Sequence, residues 1–171
     1  LLTTIKEAVD NALDACEESH VLPEINIQLI EIGEEKYKII VEDNGPGIIK
    51  QQIPKIFAKL LYGSKFHSLK QSRGQQGIGI SASVMYGQMT TGKPAKITSK
   101  IAKNQPAYYY ELHINTQKNK EEIVKSQIVE WEKDHGTKIE IVDWTEDKRR
   151  SFPTPSFSLC RHVDNSLWRQ G

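Results

Sequence analysis

The chain has 171 residues, of which 37% are hydrophobic and 26% charged, and its net charge is +1. This size and balance predict one soluble globular domain with a buried core. No apolar run approaches the roughly 18 residues that a membrane helix needs, and no signal-peptide pattern is present. Cys16 and Cys160 show neither metal-binding nor redox spacing, which predicts reduced thiols in a cytoplasmic protein. The helical pattern is already present at Leu1, so we expect the natural chain to begin further upstream.

Basic residues are concentrated in one span of the chain. Between Asp43 and Glu111 there is no acidic residue, but there are ten basic ones: Lys50, Lys55, Lys59, Lys65, Lys70, Arg73, Lys93, Lys96, Lys100 and Lys103. Such a run is typical of a solvated surface. It also suits a region that faces a polyanion, either nucleotide phosphates or a DNA backbone. The sequence leaves both interpretations open.

The first elements are a helix and a hairpin. Residues 2–18 predict an amphipathic helix, with an apolar face made by Leu2, Ile5, Val9, Ala12, Leu13 and Cys16. Glu7, Asn11 and Asp14 recur on the opposite face, in one stripe. Residues 25–32 and 36–43 alternate apolar and polar side chains around a short turn, which predicts a β-hairpin with one buried face.

Helices and strands then alternate. We expect a loop at "DNGPGI", a helix after Pro54 with an inward apolar face (Ile56, Phe57, Leu60 and Leu61), a long polar loop over 62–76, and a second helix opening at Gly77. Strands are predicted at 95–101, 107–114 and 136–144, with a weaker one at 123–131. This order predicts an α/β (α+β) two-layer sandwich, with a mixed sheet covered on one face by helices. We place the domain at 1–143 and an irregular tail at 144–171.

Three motifs carry candidate chemistry, and each has an ordinary structural explanation beside it. Glu7 and Asn11 lie one helical turn apart, where a carboxylate can polarise water and an amide oxygen can bind Mg²⁺, or both can simply be solvated. Asp43 ends a buried strand next to Gly45 and Gly47, which suit either the close approach of a flat ring or a plain turn. In "SRGQQGIGIS", glycines open a helix, whose N-terminus attracts anions.

Taken together, the motifs are more specific than each one alone. Four motifs in this sequence resemble the four ordered boxes of the GHKL ATPase superfamily, over residues 1 to about 143. In chain order they are E-x-x-x-N-x-x-D-A, D-x-G-x-G, G-x-x-G-x-G before a helix, and "HGTKIEI" entering a strand. That resemblance implies the Bergerat nucleotide fold. Within the superfamily, "VEDNGPGI", "FAKLLYGSKFH" and "MYGQMTTGKP" are similar to the B subunits of type IIB DNA topoisomerases, the topoisomerase VI family.

The resemblance implies a role for each motif residue. Glu7 would be the general base that activates water, Asn11 would hold Mg²⁺, and Asp43 would contact the adenine amine of ATP. The remaining nucleotide contacts would come from Gly45, Gly47, Ser64, Lys65, Gly74, Gln75, Gln76, Gly77, Ile78, Gly79, Ile80, Ser81 and Thr137. The implied partners are a second B subunit, a DNA-cleaving A subunit and double-stranded DNA, with no membrane.

Three departures and three alternatives accompany this interpretation. Members of the family normally have a segment before the first helix and a transducer domain whose lysine reaches the γ-phosphate, and the given sequence contains neither. The similarity of this sequence to the family also fades after about Val142. A non-catalytic B-like scaffold is one alternative, although intact Glu7, Asn11 and Asp43 count against it. A MutL-like or chaperone-like ATPase is another. A sensor kinase is disfavoured, because kinases lack the D-A pair after the asparagine.

Overall fold

The structure is a computed structural model that describes residues 1–57, 79–115, 118, 120–144 and 156–159. Its helices are α1 (Leu2–Glu18), α2 (Ile53–Phe57) and α3 (Gly79–Thr91). Its strands are β1 (Ile25–Gly33), β2 (Lys36–Glu42), β3 (Ala95–Lys100), β4 (Ala107–Asn115), β5 (Lys120–Val129), β6 (Gly136–Trp144) and β7 (Ser156–Leu159). The predicted first helix, the hairpin and the later strands are all confirmed. In the stretch predicted to be an irregular tail, the described residues 156–159 form a strand that pairs with β1.

The seven strands form one sheet in the order β5-β4-β3-β6-β2-β1-β7. Every strand pair in the described part of the chain is antiparallel, so the predicted mixed sheet is wrong. β2 and β3, which the helical crossover joins, do run in the same direction. They are not neighbours, however, because β6 lies between them and is antiparallel to both.

The helices cover one face of the sheet, which confirms the predicted two-layer sandwich. α3 packs mainly on β6 and α1, and α1 also contacts β2. The core between the layers contains Ala8, Ala12, Ile39, Val41, Ile80, Val84, Ile97, Leu112, Ile139 and Ile141. A β-carbon on Gly87 would lie 2.6 Å from the carbonyl oxygen of Val142, so this glycine lets α3 approach the sheet closely.

Two predicted inward faces are shifted in the structure. In α1 the fully buried residues are Thr4, Ala8, Ala12 and Cys16, whereas Leu2 is 55% exposed. The Thr4 hydroxyl donates to the buried carboxylate of Asp143 at 2.6 Å, so this polar residue has a partner inside the core. In α2, Phe57 is buried as expected, whereas Ile56 is 37% exposed. Within the described ranges, no helix is both long and apolar enough to cross a membrane.

Candidate active site

A cavity of about 370 Å³ lies between the helices and the sheet, next to the end of β2. Its apolar walls come from α2, α3, β6 and the loop after β2, through Ile48, Ile56, Phe57, Ile80 and Ile139. Its polar side chains come mainly from α1, through Asn11, Asp14 and Glu18, and from Asp43 and Thr137. Such an apolar cavity with a few converging polar groups is typical of a small-molecule site.

Asp43 is a buried carboxylate at one end of this cavity. It follows β2 directly, is 5% exposed, and accepts hydrogen bonds on Oδ1 from the N–H groups of Gly45 (2.8 Å) and Thr137 (3.1 Å). Burial raises the pKa of Asp43 to about 6, against the lowering effect of these two bonds. Oδ2 accepts no bond from the described residues. It is therefore available to a donor inside the cavity.

The loop after Asp43 is hydrogen-bonded to other parts of the chain. The Asn44 side chain accepts from the N–H of Glu24 (2.8 Å) and donates to the carbonyl of Leu22 (3.0 Å). His135 Nδ1 lies 2.8 Å from the carbonyl oxygen of Gly45. Because a carbonyl can only accept, Nδ1 must carry the proton. The cavity wall is thus anchored to two distant parts of the chain.

The protein's own packing requires Gly47 of this loop and leaves little space for a side chain at Gly45. Gly47 has φ +70°, and a β-carbon there would overlap the carbonyl oxygen of Lys100 at the end of β3. A β-carbon on Gly45 would lie 3.0 Å from Oδ1 of Asp43 and 3.5 Å from Sγ of Cys16. Contacts within the chain therefore account for both glycines, without the approach of a flat ring that the sequence suggested. A role for them in nucleotide binding stays a prediction.

Asn11 lines the cavity from α1, and Glu7 lies one helical turn before it, beside the lining residues. The Glu7 side chain, 20% exposed, lies against Gly79, the first residue of α3. Asn11 lines the cavity, and its Nδ2 donates to the backbone carbonyl of Glu7 at 2.6 Å. Since a carbonyl can only accept, this bond fixes which amide atom is nitrogen, and Oδ1 remains as an oxygen ligand.

α1 separates the contact between Glu7 and Gly79 from the loop after Asp43. Gly79 lies at the level of Glu7, whereas Gly45 lies at the level of Ala15 and Cys16. With a rise of about 1.5 Å per residue, these two contacts are roughly 13 Å apart along the helix.

The described cavity wall is acidic. Its ionisable residues are Asp14, Glu18 and Asp43, and no Lys or Arg of the described ranges lines it. Two of the concentrated basic residues have partners elsewhere: Lys100 donates to the carbonyl of Trp131 at 3.1 Å, and Lys50 lies 5.0 Å from the ring centre of Tyr108. A polyphosphate in this cavity would therefore need positive charge from another source.

The predicted site residues fall into three groups. Glu7, Asn11, Asp43, Gly45, Gly47, Gly79, Ile80 and Thr137 are at or beside the cavity. Ser81 is fully buried and its hydroxyl donates to the carbonyl of Ile56 at 2.9 Å, so its side chain connects α3 to α2. Ser64, Lys65, Gly74, Gln75, Gln76, Gly77 and Ile78 lie outside the described residues, and their roles stay predictions.

The structure also adds residues that the sequence did not place at the site. Glu18 lines the cavity one turn beyond Asp14. Ser99 of β3 lies opposite Thr137 of β6 in the sheet register, and His135 holds the loop after Asp43. The only sequence signal for Ser99 was a small polar residue within a predicted strand.

A helical layer on an antiparallel sheet, with a cavity between a polar helix stripe and a buried strand-end aspartate, defines an ATPase domain of the GHKL class. The sequence agrees: residues 1–143 match the family of histidine kinase-, DNA gyrase B- and HSP90-like ATPases, and the chain belongs to this family.

Individual relatives are similar over most of this chain. It is 63% identical over 141 residues to the B subunit of type 2 DNA topoisomerase 6 from Methanosarcina barkeri, and 57% identical to that from Archaeoglobus fulgidus. Each match covers 82% of this chain but only 23% of the relative. A crystal structure of the N-terminal domain of a DNA repair protein has the same fold, with a TM-score of 0.51 and 19% identity over 82% of this chain and 34% of that one.

Proposed function

We propose that this chain is the ATP-binding and ATP-hydrolysing domain of the B subunit of topoisomerase VI, a type IIB DNA topoisomerase. The observation that carries the proposal is that one helix, α1, holds Glu7 against the start of α3 and also lines, with Asn11, the cavity that contains Asp43. Family membership and the similar subunits of archaea support the same conclusion.

The base of the nucleotide binds at Asp43. Its free Oδ2 accepts a hydrogen bond from the adenine amine, while Oδ1 stays bonded to the N–H groups of Gly45 and Thr137. The apolar wall contributed by Ile48 and Ile139 contacts the faces and edges of the ring. A buried carboxylate is a strong acceptor, which suits recognition of an amine.

The phosphates lie toward Gly79, where the N-terminal N–H groups of α3 favour negative charge. Glu7 acts there as the general base that takes a proton from the attacking water. The predicted phosphate contacts of Ser64, Lys65 and residues 74–78 belong to this proposal, as do the backbone contacts of Gly79 to Ser81. Lys65, together with Lys70 and Arg73, would supply the positive charge that the described wall lacks.

Asn11 fits a magnesium ion, because its Nδ2 is already bonded to the helix and its Oδ1 remains as a hard oxygen ligand. The described residues contain no group of three or more His, Cys, Asp or Glu side chains that could hold a metal. A single amide ligand is consistent with Mg²⁺ that enters together with the nucleotide, since phosphate oxygens then complete its coordination. When bound, the ion would neutralise phosphate charge.

In the complete enzyme, ATP binding would drive two B subunits to associate as a clamp, and hydrolysis would reopen it. A separate A subunit would cleave double-stranded DNA, so that strand passage relaxes supercoils. We assign the enzyme to the cytoplasm, associated with the nucleoid. These statements concern a longer protein, since the chain spans 23% of the length of the relatives described.

Calorimetry with ADP and Mg²⁺ tests the proposal on this chain. We expect saturable binding to the native sequence and much weaker binding to Asp43→Asn, which keeps the size of the side chain but replaces an acceptor with a donor. Lys36→Ala is the matched control, because Lys36 lies at the far end of β2. A native chain that binds no adenine nucleotide would instead favour the scaffold alternative.

A further inference from the structure

Ser99 is a fully buried hydroxyl behind the cavity wall. It lies on β3 directly opposite Thr137 of β6, so the two side chains are on the same face of the sheet. Its Oγ contacts three groups: the N–H of Ile48 at 2.7 Å, the carbonyl oxygen of Gly136 at 3.1 Å, and Oγ1 of Thr137 at 3.2 Å. Ile48 and Thr137 both line the cavity.

The protons of this cluster can be assigned by counting donors. The Ile48 N–H can only donate, so Ser99 Oγ accepts from it. The Gly136 carbonyl can only accept, so the single proton of Ser99 goes there. The contact between the two hydroxyls is then a hydrogen bond only if Thr137 donates to Ser99.

A Thr137 hydroxyl that donates to Ser99 uses its proton inside the wall, and its Oγ1 then offers lone pairs to any group in the cavity. Asp43 Oδ2, when ionised, is also an acceptor, and the backbone N–H of Thr137 is already bonded to Asp43 Oδ1. The side chains of Asp43 and Thr137 therefore both accept hydrogen bonds from a ligand in the cavity, and neither donates one.

We propose that Ser99 is a positioning residue that sets base specificity: by holding the Thr137 proton, it makes the cavity select a purine with an amine at C6 over one with an oxygen there. This inference rests on the proposed function and adds a determinant of its substrate class. A 6-amino group has two protons to donate to the two acceptors. A 6-oxo group faces them with a third acceptor, and buried polar groups without a partner discriminate strongly against the wrong ligand.

The ratio of ADP affinity to IDP affinity tests this inference, because the two nucleotides differ at C6 and in the proton at N1. We expect the native chain to prefer ADP, and Ser99→Ala to reduce the ratio by about tenfold or more, since the released Thr137 hydroxyl can then donate to an oxo group. A general loosening of the cavity wall would weaken the binding of both nucleotides equally and leave the ratio of their affinities unchanged. Thr98→Ala, the neighbouring residue on β3, is the control and should leave the ratio at its native value.

Thr137→Val provides a second test that keeps Ser99. If the Thr137 hydroxyl accepts a hydrogen bond from the ligand, its removal weakens the binding of ADP but not of IDP, and the ratio of the two affinities falls. In that background, Ser99→Ala should not change the ratio further. An unchanged ratio in Ser99→Ala, or a higher ratio in Thr137→Val, overturns the inference while ADP binding by the native chain upholds the proposed function. A native chain that binds neither nucleotide overturns both.

Discussion

The carboxylate of Glu7 and the α-carbon of Gly79 are in such close contact that a β-carbon at position 79 would overlap the Glu7 side chain. Gly79 therefore allows the carboxylate to lie directly at the start of α3. A helix N-terminus favours anions. The N-terminus of α3 is therefore a suitable position both for the Glu7 carboxylate, the proposed general base, and for the nucleotide phosphate near which it acts.

Gly79→Ala should impair hydrolysis more than binding. The new methyl group displaces the Glu7 carboxylate, and a shift of about 1 Å in a catalytic group can lower a rate by about 10²-fold. Turnover is measured in the complete enzyme, and ADP affinity in this chain. Gly33→Ala is the matched control, because a β-carbon at Gly33 has nothing within 4 Å. Equal losses of activity in both variants would mean that the contact is not functional.

Glu7→Gln should leave ADP affinity nearly unchanged and lower the hydrolysis rate by about 10²–10⁴-fold. A general base acts on the attacking water in the transition state, so its loss has little effect on the ground state. The expected outcome is a reduced kcat with an unchanged nucleotide Kd. If calorimetry shows that Glu7→Gln also abolishes binding, the role assigned to Glu7 is wrong.

Asp43→Asn should stabilise the nucleotide-free chain while it weakens ADP binding. Burial disfavours the ionised Asp43, whereas a neutral amide keeps the same two backbone bonds on its oxygen. The stability gain at neutral pH is at most about 3 kcal/mol, which corresponds to several degrees in Tm. Thermal unfolding without ligand measures it. A lower Tm for the variant would contradict this account of the site.

The ionisation of the Asp43 carboxyl group should also make the free energy of unfolding depend on pH. Its pKa is about 6 in the folded state against 3.8 for the ordinary group, so between these values the folded state binds more protons than the unfolded state. The Asp43 contribution to stability therefore falls as pH rises from about 4 to about 6, and is constant above that. The difference in free energy of unfolding between Asp43→Asn and the native chain should grow over this window. A constant difference would mean that burial does not raise this pKa.

Much of the fold followed from local patterns. The apolar period of α1 and the alternation of β2 predicted those elements, because helix and strand periods differ. The alternation of β2 also predicted the side that it buries, whereas the buried face of α1 is shifted from the predicted one. The mixed sheet was wrong for a physical reason: alternation reveals burial but not strand direction. Placing β6 between β2 and β3 depends on pairing between residues about one hundred positions apart.

The sequence predicted the residues of the proposed site that belong to motifs. It did not predict those whose role depends on contacts between distant parts of the chain. Glu7, Asn11 and Asp43 have the residue types and spacing of a known class. Ser99 acquires its environment only when β3, β6 and the loop after Asp43 meet, so no pattern in its own strand could assign its proton. The basic span suited either a solvated surface or a region that faces a polyanion, and the sequence could not show that Lys96 lies in register with Glu111 and Glu140 of the neighbouring strands.

A crystal structure of the chain with ADP and Mg²⁺ would show in which direction a nucleotide lies along α1. We expect the adenine amine to lie within hydrogen-bonding distance of Asp43 Oδ2, with the diphosphate toward Gly79 and Mg²⁺ on Asn11 Oδ1. A nucleotide bound in the reverse direction, or outside the cavity between α1 and β6, would contradict it.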